Sequence, residues 1–195
     1  CDQQTVVTLD RFGEAWVAAN VFDDGSYDDC TLKSMHVRRM TSPNVPCGYP
    51  DQFYHDSVMF CCQDIGKEIM VMFRVTDHDG NENTCMVIVE VQDKTIPHIF
   101  CPHDVTVGCD YHFNLNDLSE FGKPTVSDNC NVDFRDSLDV QINQCREGYI
   151  DRIFIAGNSF GQSVCVQRIT VINYDPFDST DIIWPYDLDT ATCVS

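Results

Sequence analysis

Ile69-Met70-Val71-Met72-Phe73-Arg74-Val75-Thr76-Asp77-His78-Asp79-Gly80-Asn81-Glu82-Asn83-Thr84-Cys85-Met86-Val87-Ile88-Val89-Glu90-Val91 is the stretch that decides the fold. Ile69, Val71, Phe73 and Val75 alternate with Met70, Met72 and Arg74, and Cys85, Val87, Val89 and Val91 alternate with Met86, Ile88 and Glu90. A period of two places one apolar row on one face of a strand, whereas a helix would need a period near 3.6. Thr76 to Asn81 lies between the two rows and carries Asp and Gly, which favour tight turns. The stretch therefore reads as a long β-hairpin.

The hairpin occurs twice. Ile150 to Val171 repeats Ile69 to Val91, with Gly161 answering Gly80, Cys165 answering Cys85 and Val171 answering Val91. Gly157-Asn158-Ser159-Phe160-Gly161 takes the place of the first turn, with Gly157 read at the position of Asp77. Farther on, Trp184-Pro185 answers Cys101-Pro102, and Cys193 answers Cys109. Repetition at a period near a domain length marks a tandem array of small modules, which build surfaces, stalks or fibres more often than active sites.

Further strands are expected at 5–9, 14–21, 31–39, 57–62, 96–101, 104–109, 123–127, 133–142 and 181–184, with a short helical turn in Leu115–Phe121. Many short strands separated by Gly, Asn, Asp and Pro predict an all-β chain of two tandem antiparallel sandwiches. Proline in Gln92-Asp93-Lys94-Thr95-Ile96-Pro97 and in Asn173-Tyr174-Asp175-Pro176-Phe177-Asp178-Ser179 marks the module boundaries. The first module spans 1–94 and carries an insertion at 40–57; the second spans 95–177. Residue 1 is matched to Cys109, so the first module is expected to lack its own first strand. Residues 178–195 would then be the first strand of a following module or a donor strand. Two readings account for this offset: a window cut from a longer array, or strand donation between copies, which does not close and builds a fibre.

The chain has 195 residues, 43% of them hydrophobic, and a net charge of −19. That apolar content predicts a folded protein, and the charge disfavours nucleic acid and anionic membrane as partners. The acidity fits solubility in salt, divalent cations or a basic partner. Twelve cysteines point to disulfides in an oxidising compartment. They form no C-x-x-C pair, and adjacent Cys61-Cys62 suits two bridges better than one metal. The sequence contains no apolar run of membrane-spanning length. A chain starting at Cys1 is read as a mature or excised piece.

The string from Val75 to Val107 resembles the hyalin-type (HYR) immunoglobulin-like repeat, in which a D-x-x-G-N hairpin and a cysteine precede a V-x-V-x-D-x-x-x-P-x-I-x-C-P junction. Phe22 to Cys30 and Pro124 to Cys130 are similar to its S-D-N-C element. Phe60-Cys61-Cys62 followed by Gly66 resembles copies found in large bacterial cell-surface adhesins of the gliding-motility kind. The resemblance implies extracellular adhesion or spacing at the cell surface, and it carries over no catalytic residue.

In such a sandwich the first and last strands start at one end, which makes Cys101–Cys165 a candidate bridge. Cys109–Cys130 and Cys1–Cys30 form a second, matched pair of candidates, and Cys193 is left for a partner beyond the chain. Two oxygen-rich clusters are calcium candidates: Asp77, Asp79, Asn81 and Asn83 in the hairpin turn, and Asp23, Asp24 and Asp28 with Ser26 and Asp29. Solvated turns use the same residues for backbone reasons alone. No other cofactor is expected.

His98 and His103 flank Cys101, but a half-cystine has no nucleophilic thiolate. No hydrolase, zinc-protease, phosphate-loop or dinucleotide motif is present, so the chain reads as a non-enzyme. Trp16 and Trp184 are expected in strand cores. The expected partners are neighbouring copies or modules of the same protein, arranged as a filament. The rival reading is a discrete extracellular module that binds a cell-surface or glycan ligand through the 40–57 loop, with Tyr49, Phe53 and Tyr54 pinned by Cys47.

Overall fold

The computed structural model describes every residue except 2, 30, 41–46, 48–52, 145 and 184–195. The described elements are twelve strands and four single 3-10 turns, so the chain is all-β. By contacts they form two compact units, one of residues 1–101, 124–137 and 153–166 and one of 102–123, 138–152 and 167–195. None of the described helical turns is long and apolar enough to cross a membrane.

The first module contains β1 (Gln4–Thr8), β2 (Glu14–Ala18), β3 (Leu32–Arg39), β4 (Ser57–Cys61), β5 (Glu68–Asp77) and β6 (Glu82–Gln92). Its main sheet has the order β1-β6-β5-β3, and β2 pairs with β4 in a second sheet. β5 and β6 form the long hairpin, with Val71 opposite Val87 and Thr76 opposite Glu82. The alternation in the sequence sets the packing. Ile69, Val71, Phe73, Val87, Val89 and Val91 are buried, and they share one core with Phe22, Val58 and Phe60. Each such side chain contributes about 1.5–3 kcal/mol by leaving water.

The second module contains β7 (His98–Phe100), β8 (Val105–Gly108), β9 (Thr125–Ser127), β10 (Asp133–Ile142), β11 (Gly148–Gly157) and β12 (Gln162–Ile172). Its main sheet has the order β10-β11-β12-β8, and β7 pairs with β9. Leu118, Ile150 and Ile169 form a smaller core, ringed by Val107, Phe113, Phe121 and Ile142.

Four expectations are corrected. First, only part of the opening segment expected to be missing from the first module lacks a counterpart: β8 is matched by β1, whereas β7 is matched by no strand among the described residues. β1 runs parallel to β6 with Val7 opposite Val91, as β8 runs parallel to β12 with Val107 opposite Val171. The counterpart of Cys1 is thus Cys101, not Cys109. Second, the strands expected at 96–101 and 104–109 shorten to β7 and β8 and join different sheets. Third, Trp16 is not core. It points outward from β2 and is 55% exposed, because its neighbours Ala15 and Val17 take the inward positions. Fourth, Ser179–Asp181 is a 3-10 turn capped by Asp178 where a strand was expected from 181, because the Asp178 carboxylate accepts from the Thr180 amide. Trp184 and the rest of that stretch lie outside the described residues.

Candidate functional site: a stapled joint and an acidic groove

Both candidate features lie within the first unit. One is the joint around Asp93, where β6 hands over to the second module. Asp93 is buried, and its Oδ1 accepts from the Thr95 amide at 2.9 Å, which closes an Asx turn just past the strand. The same carboxylate accepts from Asn129 Nδ2 at 3.1 Å and from Asn158 Nδ2 at 3.3 Å. Asn158 Nδ2 also donates to Thr95 O at 2.7 Å and to Asp128 Oδ2 at 3.0 Å. One amide group therefore bridges two carboxylates and the linker backbone, which supplies the partners a buried charge needs.

A disulfide locks the same place. Cys62 is bonded to Cys130, and Asn129 Nδ2 donates to Asp10 O at 2.9 Å. Gly13 completes the contact: a Cβ there would lie 2.5 Å from Cys62 Sγ and 2.6 Å from Asn129 O, and its φ is +76°. Only glycine fits both the backbone conformation and the space.

The linker then enters a slot. Ile96 packs over Gly161, where a Cβ would be 3.2 Å away. Ser163 Oγ donates to Pro97 O at 2.6 Å. β7 pairs antiparallel with β9, with Ile99 opposite Val126. Cys101 is bonded to Cys165.

The other feature is a groove on the first module. It is lined by Gly25, Tyr27, Asp28, Asp77, Asn81 and Asn83, among others. The two acidic clusters that are far apart in sequence thus meet at one groove, since Asp24 lines it as well. Asp77 Oδ1 accepts from the Asn81 amide at 2.8 Å and Oδ2 from Asn81 Nδ2 at 2.7 Å. These bonds, the side-chain one foremost, hold the Asp77 carboxyl below the usual carboxylate range. Asp23 accepts from the Ser26 amide at 2.9 Å, and hydrogen bonding to Ser26 lowers its carboxyl in the same way. Asp79 stands in the exposed hairpin turn. The hairpin bonding also corrects the alignment. Asn158 N bonds Gly161 O as Asp77 N bonds Asn81 O, so the counterpart of Asp77 is Asn158 and not Gly157.

The remaining cysteines depart from the expected pairing. Cys1 is bonded to Cys85 and not to Cys30, because β1 lies beside β6; Cys30 itself lies outside the described residues. Cys130 is bonded to Cys62 and not to Cys109, because residues 129–130 lie against Gly13 and Cys62. Cys109 has no disulfide partner among the described residues and is half-buried. Cys193 lies outside the described residues.

Cys47 is bonded to Cys61 and anchors the 40–57 insertion. Beneath it, Arg39 and Asp64 form a buried two-point ion pair at 2.6 and 2.9 Å, and Arg39 also bonds Met59 O. Cys47, Cys61 and Asp64 are the one metal-like grouping among the described residues. Sulfurs joined in a disulfide are not thiolates and do not ligate a metal. Of the proposed binding loop, Phe53 is exposed, and Tyr54 lies between Arg74, 4.0 Å from its ring centroid, and Arg38 at 5.2 Å. Tyr49 falls outside the described residues.

The sequence reading missed the polar pair inside the second module. Arg152 Nη1 donates to Gln167 Oε1 at 2.6 Å and to Gly122 O at 3.0 Å. Gln167 Nε2 donates to His103 O at 2.6 Å and Phe121 O at 2.7 Å. The signal was available: both residues occupy inward positions of their strands.

No family model matches the chain, and no curated protein matches it. Among solved structures, the chain is similar to the titin domains z1z2 in complex with telethonin, at 16% identity and a TM-score of 0.36, covering 88% of this chain and 94% of that one. It is also similar to human protocadherin-24 EC1-2, at 10% identity and a TM-score of 0.33, covering 87% and 95%. The immunoglobulin domains 1–4 of Sidekick-1 align at 11% identity and a TM-score of 0.29, covering 89% of this chain and 50% of that one. By its own strands the chain is all-β, each module sets a four-stranded sheet beside a two-stranded one, and disulfides brace the described residues.

Proposed function

We propose that this chain is a structural, adhesive repeat segment of an extracellular surface adhesin or filament, built of HYR-like modules, without catalytic activity. The observation that carries the reading is the set of staples. In each module a cystine joins the entry to the last strand, Cys1 to Cys85 and Cys101 to Cys165, and a third, Cys62–Cys130, crosses the joint. Cystines persist outside the cell and not in a reducing cytosol, and a module closed this way resists extension from its ends. Copies associate head to tail by strand donation. Electron micrographs of purified protein at increasing concentration test the assembly: threads support it, and single particles at every concentration contradict it.

Calcium belongs to the same proposal, because Asp24, Asp28 and Asp77 share one acidic groove and calcium takes oxygen ligands from flexible loops. EDTA should lower the melting midpoint; an unchanged midpoint removes the ion. The rival reading, a discrete module binding a cell-surface or glycan ligand, draws support from exposed Phe53 beside the cystine-anchored insertion. A glycan-array signal abolished by Phe53→Ala would favour it.

A further inference from the structure

The repeat supplies its own template for what fills the acidic groove. In the first unit the linker segment from Asp93 to Phe100 lies against four landmarks of the second module, Asn158, Gly161, Ser163 and the strand Thr125–Ser127, and Asn158 in turn bonds Asp128. Their counterparts in the first module are Asp77, Asp28, Asn81, Asn83 and Gly25–Tyr27. All of these line the one groove. Gly25, Ser26 and Tyr27 join no strand ladder among the described residues, and Tyr27 is 90% exposed. The groove is thus a binding slot for an extended segment of the 93–100 kind.

The second module carries such a segment. After β12 comes Asn173, at the place Asp93 holds after β6. It makes the same turn: Asn173 Oδ1 accepts from the Asp175 amide at 3.1 Å, as Asp93 Oδ1 does from Thr95. The turn fixes Oδ1 and directs the other polar atom of the side chain away, and here that atom is an amide nitrogen. Counting back from Trp184-Pro185, Ser179 to Ile183 match Ile96 to Phe100, with three extra residues in between. Ile183 is 95% exposed.

Donor and acceptor are complementary by exchange. At the joint within the chain, the linker brings a carboxylate, Asp93, to an amide, Asn158. After β12 the segment brings an amide, Asn173, and the groove presents a carboxylate, Asp77. Size is exchanged as well: Ile96 covers Gly161, whereas the smaller Ser179 would meet the larger Asn81.

We propose that the Asn173–Ile183 segment of one copy docks in the Gly25–Asn83 groove of a second copy, with the Asn173 amide donating to the Asp77 carboxylate. Ile182 and Ile183 add a short strand along Gly25–Tyr27, as His98–Phe100 do along Thr125–Ser127. The single 3-10 turn at Ser179–Asp181 opens on docking; one such turn is held by few bonds. This assignment rests on the head-to-tail reading above and names its contact.

Sedimentation velocity on the full chain across a concentration series is the test. Asn173→Asp places two carboxylates together and should weaken association by about tenfold or more at low salt. The exchange variant carrying both Asn173→Asp and Asp77→Asn rebuilds the Asp93–Asn158 pairing and should restore association to within about threefold of wild type. Circular dichroism melts establish that each variant is folded. A wild type that stays monomeric overturns the proposal, as does a single variant that associates like wild type or an exchange variant that is not rescued. The groove would then take another occupant, such as a segment preceding Cys1 in a longer polypeptide. The load-bearing reading fails separately, because resistance of the single chain to force does not require self-association.

Discussion

The two hairpins share a frame and differ at its centre. In the first, Val71 and Val87 face each other across β5 and β6, both fully buried. In the second, the same repeat positions hold Arg152 and Gln167, also buried. At these positions the first module uses apolar area alone and gathers a broad apolar core, with its buried Arg39–Asp64 ion pair placed elsewhere. The second keeps a smaller apolar cluster, joins Arg152 to Gln167 by one hydrogen bond and ties the pair to His103, Phe121 and Gly122 by three more. A sandwich of this size therefore tolerates polar atoms at its middle when each finds a partner. Apolar packing forgives small changes, whereas a satisfied polar pair fails when one member is lost.

That contrast can be broken most severely from the polar side. Arg152→Ala leaves Gln167 Oε1 and Gly122 O without their donor and opens a cavity; a loss of about 4 kcal/mol is expected in urea unfolding. A loss under about 1 kcal/mol would mean the pair is ornamental. The converse graft, Val87→Gln, puts an amide into the apolar core and should cost about 3 kcal/mol by the same measurement. Replacing both members, Arg152→Val with Gln167→Val, copies the first module's solution. It should recover most of the single-variant loss, leaving about 1–2 kcal/mol, with the two effects strongly non-additive in a double-mutant cycle. Gly13→Ala probes the joint instead. Its Cβ meets Cys62 Sγ and Asn129 O, and its left-handed backbone disfavours alanine, so a calorimetric loss of about 2 kcal/mol is expected.

Much of this frame is legible in the sequence because it is local. Alternation along 69–91 gives the strands and their inward faces, and the Pro-containing stretch at 92–97 gives the boundary. What the sequence conceals is set by distant pairing. Cys1 resembles Cys109 by position, but the parallel register of β1 on β6 makes it the counterpart of Cys101 and the partner of Cys85. Strand alternation places Arg152 and Gln167 inward, but the loop carbonyls that accept their hydrogens come from distant parts of the chain. The two acidic clusters read as separate turns, and only the fold brings Asp24, Asp28 and Asp77 to one groove. The sequence places Tyr54 in the 40–57 loop, and only the fold sets its ring against Arg38 and Arg74 of β3 and β5.

Stretching single molecules from their two ends, with and without reductant, tests the stapled-module account most directly. With Cys1–Cys85 and Cys101–Cys165 closed, only residues 86–100 and 166–195 can unravel, a contour of roughly 160 Å, whereas the reduced chain should reach roughly 680 Å. An oxidised chain that extends to the reduced length would contradict the account.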